Sequence, residues 1–522
     1  MKPEAELLSL PSELILHILS FLPWQDIIRC TSLCKALREI YLLSSELQYI
    51  TELGGQQLLP VLNGSLPVSE RLQLLRDKAR AWSKFDVHSS ESIFIPVQFR
   101  RRTKVSVVNG HACFWKPTMH SGKIFPIVPR PLQQTIERDF SPDSLCSIPT
   151  QRQSDFDVLN VLMDPVQNLL AIVYVTVVRN GGLVYDEAYY IDLVALDGDC
   201  THPQAAGRTL FLSDLPKRKN FVTKSTKIEG FGRHIALRLF DDQLRIPSFT
   251  SRWWLQIWDW QHSTTSKCIL SGPIVDPDFN EIDVCFLGND RFLVVNDDLK
   301  LYSIEDMSHP PRFLARFLLP ASVVNLRCLT PTNDIARSPH PSQATWISDP
   351  KHRLISLVTW NSELYFIIST RIFFEADFVD SERTKIPWES WGPPNAHVVP
   401  HRFSCKLSVS GSRALYAFAS GVELNDGLIA TEYRIYLMDF SPSAVKRHHE
   451  QGLGRMVNKP SKVENVKTGE CITTSMPYVE VVSHKTFSHG EFVEMWLDRD
   501  RLYLLKNHFD IDKIDQFEVI EF

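Results

Sequence analysis

The spacing of apolar residues changes near residue 90 and divides the chain into two kinds of structure. Before this point apolar side chains recur at helical spacing. After it they form short segments that are rich in β-branched and aromatic residues and bounded by Gly, Pro, Asn or Asp. Segments such as LLAIVYVTVV, RHIALRLF and YRIYLMDF are typical of β-strands. The sequence therefore predicts an α+β multidomain protein, with amino-terminal helices followed by a large all-β domain.

The strand-like segments also indicate a repeated unit. Segments that end near an acidic residue, such as LVALDG, LQIWDW, LKLYSIED and YRIYLMDF, recur at roughly 45 to 70 residues, whereas a propeller blade repeats at about 40 to 50. LQIWDW is similar to the end of a WD-repeat strand, and the other segments lack this signature. We predict a degenerate β-propeller of about six to eight blades, with one or two β-sandwiches as the alternative.

Charge balance and cysteine spacing exclude several functional classes. The 56 Lys and Arg residues against 61 Asp and Glu residues give a net charge of -5, so no global basic field favours nucleic acid or an anionic membrane. The start, MKPEAELLSLPSEL, does not resemble a secretory signal, and ten cysteines without a C-x-x-C pair are typical of reduced thiols. We expect an intracellular protein, cytoplasmic or nuclear or both, without a cofactor or metal site.

The amino-terminal segment SLPSELILHILSFLPWQDIIRCTSLCKALREI predicts two or three short helices. Pro11 suits a first helical turn, and Pro23 ends the apolar stripe that follows it. The stripe consists of Leu14, Ile15, Ile18, Leu19 and Leu22. A unit of about 40 residues rarely buries enough of its own surface to fold alone. Its apolar residues must therefore be covered by the rest of this chain or by another protein.

The same residues resemble an F-box. The pattern is a Leu-Pro pair, an acidic residue, an aliphatic stripe, an Asp after a turn and a later Cys-Lys pair. The matching residues are Leu10, Pro11, Glu13, Leu14, Ile18, Leu19, Leu22, Asp26, Ile27, Leu33, Cys34 and Lys35. Leu37 departs from the pattern, because the family commonly has an aromatic residue there. The segment LQYITEL and the later SERLQLLRDKARAW also resemble the region after the F-box in large F-box proteins of mushroom-forming fungi.

The resemblance implies that the helices bind a Skp adaptor and, indirectly, a cullin. On this basis the predicted adaptor-binding residues are Leu10, Pro11, Leu14, Ile15, Ile18, Leu19, Leu22, Ile27, Leu33, Cys34 and Lys35. The predicted domains are an F-box at residues 1–43, a helical spacer at 44–89, and a β-propeller-like substrate-recognition domain at 90–522.

Three functions fit this organisation. The first is a non-catalytic substrate-recognition subunit of a Skp-cullin-F-box ubiquitin ligase, which would hold an unknown protein substrate near the ubiquitin carrier. The second is an F-box adaptor that binds Skp without cullin and has no role in degradation. The third is a propeller-fold enzyme, which would need carboxylates, histidines or a metal gathered in the axial channel. The first hypothesis predicts that the chain contains no catalytic residue.

Two short basic clusters are candidates for contact with a substrate. They consist of Arg100, Arg101 and Arg102, and of Lys217, Arg218 and Lys219. Arginine side chains match the geometry of phosphate oxygens, so either cluster could bind a phosphorylated degron. The alternatives are nuclear targeting and a solvated strand edge that discourages edge pairing.

Aromatic and histidine residues offer weaker candidates. Trp254 and Trp258 alternate along one predicted strand face with Trp260, so we predict that they pack in the core and do not form a ligand cage. His448 and His449 lack the spacing of a zinc protease motif, and we predict a polar loop there.

Overall fold

The computed structural model shows a group of helices followed by a ring of small β-sheets. It describes residues 7–61, 66–95, 103–116, 122–128, 137–140, 155–179, 185–212, 226–241, 252–273, 282–320, 323, 326–329, 346–359, 363–375, 385–400, 405–424, 427–465, 468–488, 492–506 and 515–522. Within these residues, none of the helices combines the length and the apolar character needed to cross a membrane.

Five α-helices precede the ring in the part of the chain that the structure describes. They are α1 (Ser12–Ser20), α2 (Trp24–Thr31), α3 (Lys35–Leu43), α4 (Ser45–Gly55) and α5 (Val68–Lys84), with a short 3-10 helix at Leu7–Ser9. Pro11 and Pro23 stand directly before α1 and α2, where proline interrupts no helical hydrogen bond. The Ser44 hydroxyl caps α4 by accepting a hydrogen bond from the Leu47 backbone N–H at 3.2 Å.

The all-β domain consists of seven sheets built on four antiparallel strands each, and these sheets are the blades of a β-propeller. With strands numbered along the chain, blade one contains β3 (Lys104–Val108), β4 (His111–Trp115), β5 (Gly122–Pro126) and β6 (Arg138–Phe140). Blade two contains β7 (Asp155–Asp164), β8 (Leu169–Arg179), β9 (Tyr185–Ala195) and β10 (Thr209–Phe211). Blade three contains β11 (Lys227–Phe231), β12 (His234–Asp241), β13 (Arg252–Asp259) and β14 (Ile269–Pro273).

The remaining four blades follow the same pattern. Blade four contains β15 (Asp283–Phe286), β16 (Arg291–Val295), β17 (Asp298–Ser303) and β18 (Arg312–Leu318). Blade five contains β19 (Leu326–Leu329), β21 (Leu354–Thr359), β22 (Leu364–Ser369) and β24 (Ala396–Pro400). Blade six contains β25 (Lys406–Ser410), β26 (Arg413–Leu424), β27 (Gly427–Asp439) and β31 (Tyr478–Ser488). Blade seven contains β32 (Phe492–Leu497), β33 (Arg501–Lys506), β34 (Gln516–Glu521) and β2 (Ser89–Phe94).

The first strand of each blade lies on the inside of the ring. Accordingly β3 contacts β7, β7 contacts β11, β11 contacts β15, β15 contacts β19, and β25 contacts β32. The ring closes in blade seven, where β2 pairs antiparallel with β34 from Ser89 opposite Glu521 to Phe94 opposite Gln516. A strand made before blade one therefore completes the last blade and ties the two ends of the propeller together.

The core of the propeller lies between its blades. Seven clusters of buried apolar side chains are each shared by two neighbouring blades. Trp258 and Trp260 are fully buried between blades two and three, and Trp254 packs against the same cluster. The buried indole N–H groups also have partners: Trp258 Nε1 donates to the carbonyl oxygen of Phe211 at 3.2 Å, and Trp260 Nε1 donates to that of Gly232 at 3.1 Å. The core-packing prediction for these tryptophans is confirmed, and seven blades replace the alternative of β-sandwiches.

Insertions explain why the repeat is uneven in the sequence. Blade five carries a 3-10 helix (Thr370–Phe374), strand β23 (Lys385–Ile386) and helix α6 (Trp388–Asn395) between β22 and β24. Blade six carries helix α7 (Pro442–Gln451) and strands β28 (Arg455–Val457), β29 (Ser461–Glu464) and β30 (Cys471–Thr474) between β27 and β31. Outside the blades, β29 pairs with β30, and β1 (Leu58–Pro60) pairs with β20 (Trp346–Ser348).

The loop predicted at His448 and His449 is wrong, because both residues lie in α7. The Ser441 hydroxyl caps this helix by accepting from the backbone N–H of Ala444. Gly452 ends it in the left-handed conformation, with φ of 67°. Ser441 and Gly452 are recognisable in the sequence as residues that begin and end a helix. The loop was predicted because the residues between them are mostly polar.

Candidate functional site

The amino-terminal helices bury one set of apolar side chains among themselves. Ile15, Leu19, Ile27, Leu37 and Leu47 form a small core in which each side chain is at most 5% exposed. The structure thus places the predicted adaptor-binding residues Ile15, Leu19 and Ile27 inside the helical unit, where they hold its helices together. Leu37, the departure from the F-box pattern, packs in the same core.

Other predicted residues lie on the outside of these helices. Leu14 and Ile18 of α1 are exposed, as is Leu33 between α2 and α3, with 75% of its surface free. Pro11 and Lys35 are exposed as well. Three further predicted residues are partly buried against the core, namely Leu10, Leu22 and Cys34. The predicted adaptor-binding residues therefore form two groups: some pack in the core of the helical unit, and the others face solvent.

Five further exposed apolar residues in this segment were missed by sequence reasoning. They are Leu7, Leu8, Phe21, Leu42 and Leu43. They lie in the 3-10 helix and at helix ends, outside the central part of the periodic stripe. The only feature of the sequence that could have indicated their exposure is an apolar residue or a leucine pair at the end of a predicted helix. We refer to Leu7, Leu8, Leu14, Ile18, Phe21, Leu33, Leu42 and Leu43 as the exposed apolar set.

The exposed apolar set is concentrated in a small part of the molecule. Its eight members are among the fifteen exposed large hydrophobic side chains of the described residues, although they come from residues 7–43 alone. None of the eight belongs to a buried cluster of the described chain. Where exposed apolar side chains form a continuous patch, the surface is typical of a site for another macromolecule.

The helical unit meets the propeller at the last turn of α4. A methyl group at Gly54 would overlap the ring of Trp24 in α2, and one at Gly55 would lie 3.2 Å from Cβ of Ser443 in α7. Two adjacent residues without side chains let α4 pack closely against the helical unit on one side and the blade-six insertion on the other. The glycine pair therefore forms a joint between the two parts.

Helix α5 forms a second attachment. Trp82 is buried in the cluster between blades six and seven and stacks on Phe522, with ring centroids 3.8 Å apart. Lys78 forms an ion pair with Asp500 at 2.8 Å. Burial alone would raise the pKa of the Asp500 carboxyl, but the positive charges of Lys78 and Arg499 outweigh burial and lower it. The helices are therefore joined to the propeller by aromatic stacking and by charge.

Strands on the inside of the ring carry a buried ionic network. Lys227 of β11 lies 2.7 Å from Glu229 and 2.8 Å from Asp283 of β15, and Arg238 lies 3.4 Å from Asp283. Burial tends to raise the pKa of Asp283, but Lys227 and Arg238 outweigh it and lower the pKa. These charges pair with one another and so link blades three and four.

Metal-ligating side chains do not gather in the part of the chain that the structure describes. No group of three or more His, Cys, Asp or Glu residues there could hold a metal ion. The two basic clusters, Arg100 to Arg102 and Lys217 to Lys219, lie outside the described residues. Their proposed contact with a phosphorylated substrate stays a prediction.

Comparison with known proteins supports this two-part organisation. Residues 7–43 match the F-box-like family model. No curated protein matches the chain. The chain therefore combines an F-box-like helical unit with a seven-bladed β-propeller.

Among solved structures, the chain is similar to the WD40 domain of SCAP from fission yeast, with 6% identity over 83% of this chain and 98% of that one, and a TM-score of 0.36. It is also similar to the WD40 domain of Toxoplasma gondii coronin, with 9% identity over 83% and 86% of the two chains and a TM-score of 0.35. A puromycin hydrolase matches with 13% identity over 75% and 50%, and a TM-score of 0.34. Similarities this remote carry no information on function. The number of blades follows from the strand pairing of this chain.

Proposed function

We propose that this protein is the substrate-recognition subunit of a Skp-cullin-F-box ubiquitin ligase. The observation that carries the proposal is the exposed apolar set, which lies in the segment that matches the F-box-like family model. These side chains face away from the core of the helical unit, and we assign them to the contact with the Skp adaptor. Ile15, Leu19 and Ile27 would support that contact indirectly, because they fix the positions of α1 and α2.

The size of the set is compatible with a stable complex. A fully buried aliphatic side chain contributes about 1.5 to 3 kcal/mol, so five of the eight would contribute roughly 7 to 15 kcal/mol. Association itself costs about 4 to 15 kcal/mol through lost translational and rotational freedom. The two ranges are similar, so binding requires most of the set and cannot rest on one residue.

The propeller would receive the protein substrate in this proposal. Its attachment through the Gly54 and Gly55 pair and through Trp82 supports a defined orientation relative to the adaptor-binding helices. Holding a substrate near a charged ubiquitin carrier raises the effective concentration of its lysines. The chain would then act by proximity, and the chemistry of transfer would belong to other subunits.

A single charge on α1 tests the adaptor contact. Leu14 is 50% exposed and lies outside the helical core, so Leu14→Asp should leave the protein folded. It should abolish capture of Skp, because the carboxylate would be buried in an apolar interface. Leu74→Asp on α5 is the matched control, since Leu74 is 43% exposed on a helix outside residues 7–43. Co-purification of the full chain with Skp and cullin, together with thermal melting, gives the readout.

The outcomes separate the candidate functions. Recovery of both Skp and cullin by the wild type and by Leu74→Asp, but not by Leu14→Asp, supports the proposal. Recovery of Skp without cullin supports an F-box adaptor with no role in degradation. Recovery of neither partner by the wild type rules out both. Normal Skp binding by Leu14→Asp shows that the contact residues are wrongly assigned.

A further inference from the structure

A cleft lies where α4 and α5 meet α7 of the blade-six insertion. Its volume is about 340 Å³, which is within the usual range for sites that bind small molecules. The charged residues that line it are Glu52, Arg76, Arg80, Lys446, Arg447 and Glu450. Four cations thus face two carboxylates, with one pair of cations on α5 and the other on α7.

The α5 wall presents guanidinium groups that are weakly compensated. Arg76 donates a hydrogen bond to Oε1 of Gln48 at 2.8 Å and forms no ion pair with any described residue. Arg80 lies 3.3 Å from Asp77, but both side chains are about half exposed. Ion pairs of this kind contribute little, because water screens them. Both guanidinium groups therefore remain available to an anion that enters the cleft.

The α7 wall carries a buried arginine. The Arg447 side chain is only 13% exposed and lies 3.4 Å from Glu52 and 3.9 Å from Asp439, and it also contacts the hydroxyls of Ser83 and Ser443. Burial lowers the pKa of Arg447 in spite of the carboxylates nearby. The adjacent Lys446 pairs only at 3.8 Å, with the exposed Glu450. Lys446 is therefore the weakly compensated cation of this wall, whereas Glu52 and Asp439 balance most of the charge of Arg447.

We propose that the cleft binds a small phosphate-class anion with two or more phosphate groups. One group would lie against Arg76 and Arg80, and the other against Lys446 on α7. Guanidinium groups suit this role because their planar fork matches phosphate oxygens, and a multiply charged anion can satisfy both walls at once. Such an anion would bridge α5 and the propeller insertion and would strengthen the joint at Gly55. The inference is independent of adaptor binding.

Inorganic pyrophosphate is the probe for this site. We expect saturable binding of one pyrophosphate to the full-length protein in calorimetry, with a rise in melting temperature at constant ionic strength in chloride. The double variant Arg76→Gln, Arg80→Gln should weaken binding by at least about tenfold, because it removes charge-assisted hydrogen bonds. Lys446→Gln should weaken it by about threefold, since Lys446 provides one exposed point charge. All three side chains are at least partly exposed, so the variants should fold, and melting without pyrophosphate checks this.

Two further variants distinguish a specific site from general charge. Glu450→Gln should tighten binding by about threefold, because it removes a carboxylate that repels the anion. Arg371→Gln should have no effect, since Arg371 is an exposed arginine paired with Glu375 on the propeller. The proposal is overturned if pyrophosphate shows no saturable binding, or if the double variant binds it as well as the wild type. Tighter binding of a doubly phosphorylated peptide than of pyrophosphate would overturn the assignment to a small anion.

Discussion

The propeller buries its large apolar side chains, whereas the helical unit leaves many of its own exposed. The propeller places large side chains such as Trp258 and Phe366 between neighbouring blades, where they have no exposed surface. The helical unit uses Ile15 and Leu19 for its core but leaves Leu14, one residue away, half exposed. Each propeller blade finds an apolar partner in the next blade, whereas the outer face of α1 has none within the described chain. A ring can cover its own sheets, while three short helices cannot cover all of theirs.

The largest expected effect on the free energy of unfolding comes from removing a tryptophan side chain from the propeller core. Trp258→Ala should destabilise the protein by about 3 to 5 kcal/mol, because it leaves a cavity between blades two and three and removes the hydrogen bond to Phe211. Leu33→Ala, at a residue that is 75% exposed, should change the free energy of unfolding by less than about 0.5 kcal/mol. Urea unfolding of the two variants measures both values. Similar losses would contradict the contrast drawn above.

The joint between the regions should be the next most sensitive place. Gly54→Ala should cost about 1 to 3 kcal/mol, because its methyl group would overlap the Trp24 ring and push α2 away from α4. Gly198→Ala is the control, since open space surrounds that position. Hydrogen exchange should show faster exchange in α2 and α4 for Gly54→Ala only. Unchanged protection would mean that Trp24 moves aside at no cost.

Acid should weaken the second attachment. The pKa of Asp500 is lowered in the folded protein, so its pairing with Lys78 contributes stability above the ordinary Asp pKa of about 3.9. That contribution is lost as the pH falls through the lowered folded pKa. We expect Asp500→Asn to be less stable than the wild type by on the order of 1 kcal/mol at pH 7, with the difference shrinking below about pH 4. Thermal melting across this range tests it, and a difference that grows toward acid would refute the assignment.

The smallest effect is expected at the most exposed leucine. Leu43→Ser should change the free energy of unfolding by less than about 0.5 kcal/mol, because the side chain is 88% exposed and touches no buried cluster. It should nevertheless reduce binding of a fluorescent dye that reports exposed apolar surface. A loss of about 2 kcal/mol, typical of a core residue, would show that Leu43 is covered within this chain.

Sequence patterns were informative where one local rule decided the structure. The alternation of Trp254 and Trp258 with Trp260 predicted a buried strand face, Pro11 predicted the start of the first helix, and Pro23 predicted its end. The same patterns could not separate Leu14 from Ile15, because both belong to one stripe and only the position of α4 decides which side is covered. The exact number of blades could not be predicted from the sequence either, because the insertions that contain α6 and α7 interrupt the spacing of the repeat.

Polar segments and glycines were the least predictable. Nothing in the local sequence around Gly54 and Gly55 shows that α2 and α7 approach them. The cleft beside α7 likewise combines Arg76 with Arg447, which are more than 350 residues apart in the chain. Contacts of this range depend on ring closure, which no local pattern contains.

The pairing of β2 with β34 sets an order for synthesis. Ser89 and Glu521, which hydrogen-bond across this pair, are separated by 432 positions, so β2 leaves the ribosome long before its partner strand exists. Blades one to six can form in turn during translation, but blade seven can be completed only at the end. We expect β2 to stay accessible to protease on nascent chains that end before residue 516, and to become protected once β34 has emerged. The amino-terminal helices would meanwhile be free to fold and to engage a partner before the propeller is a closed ring.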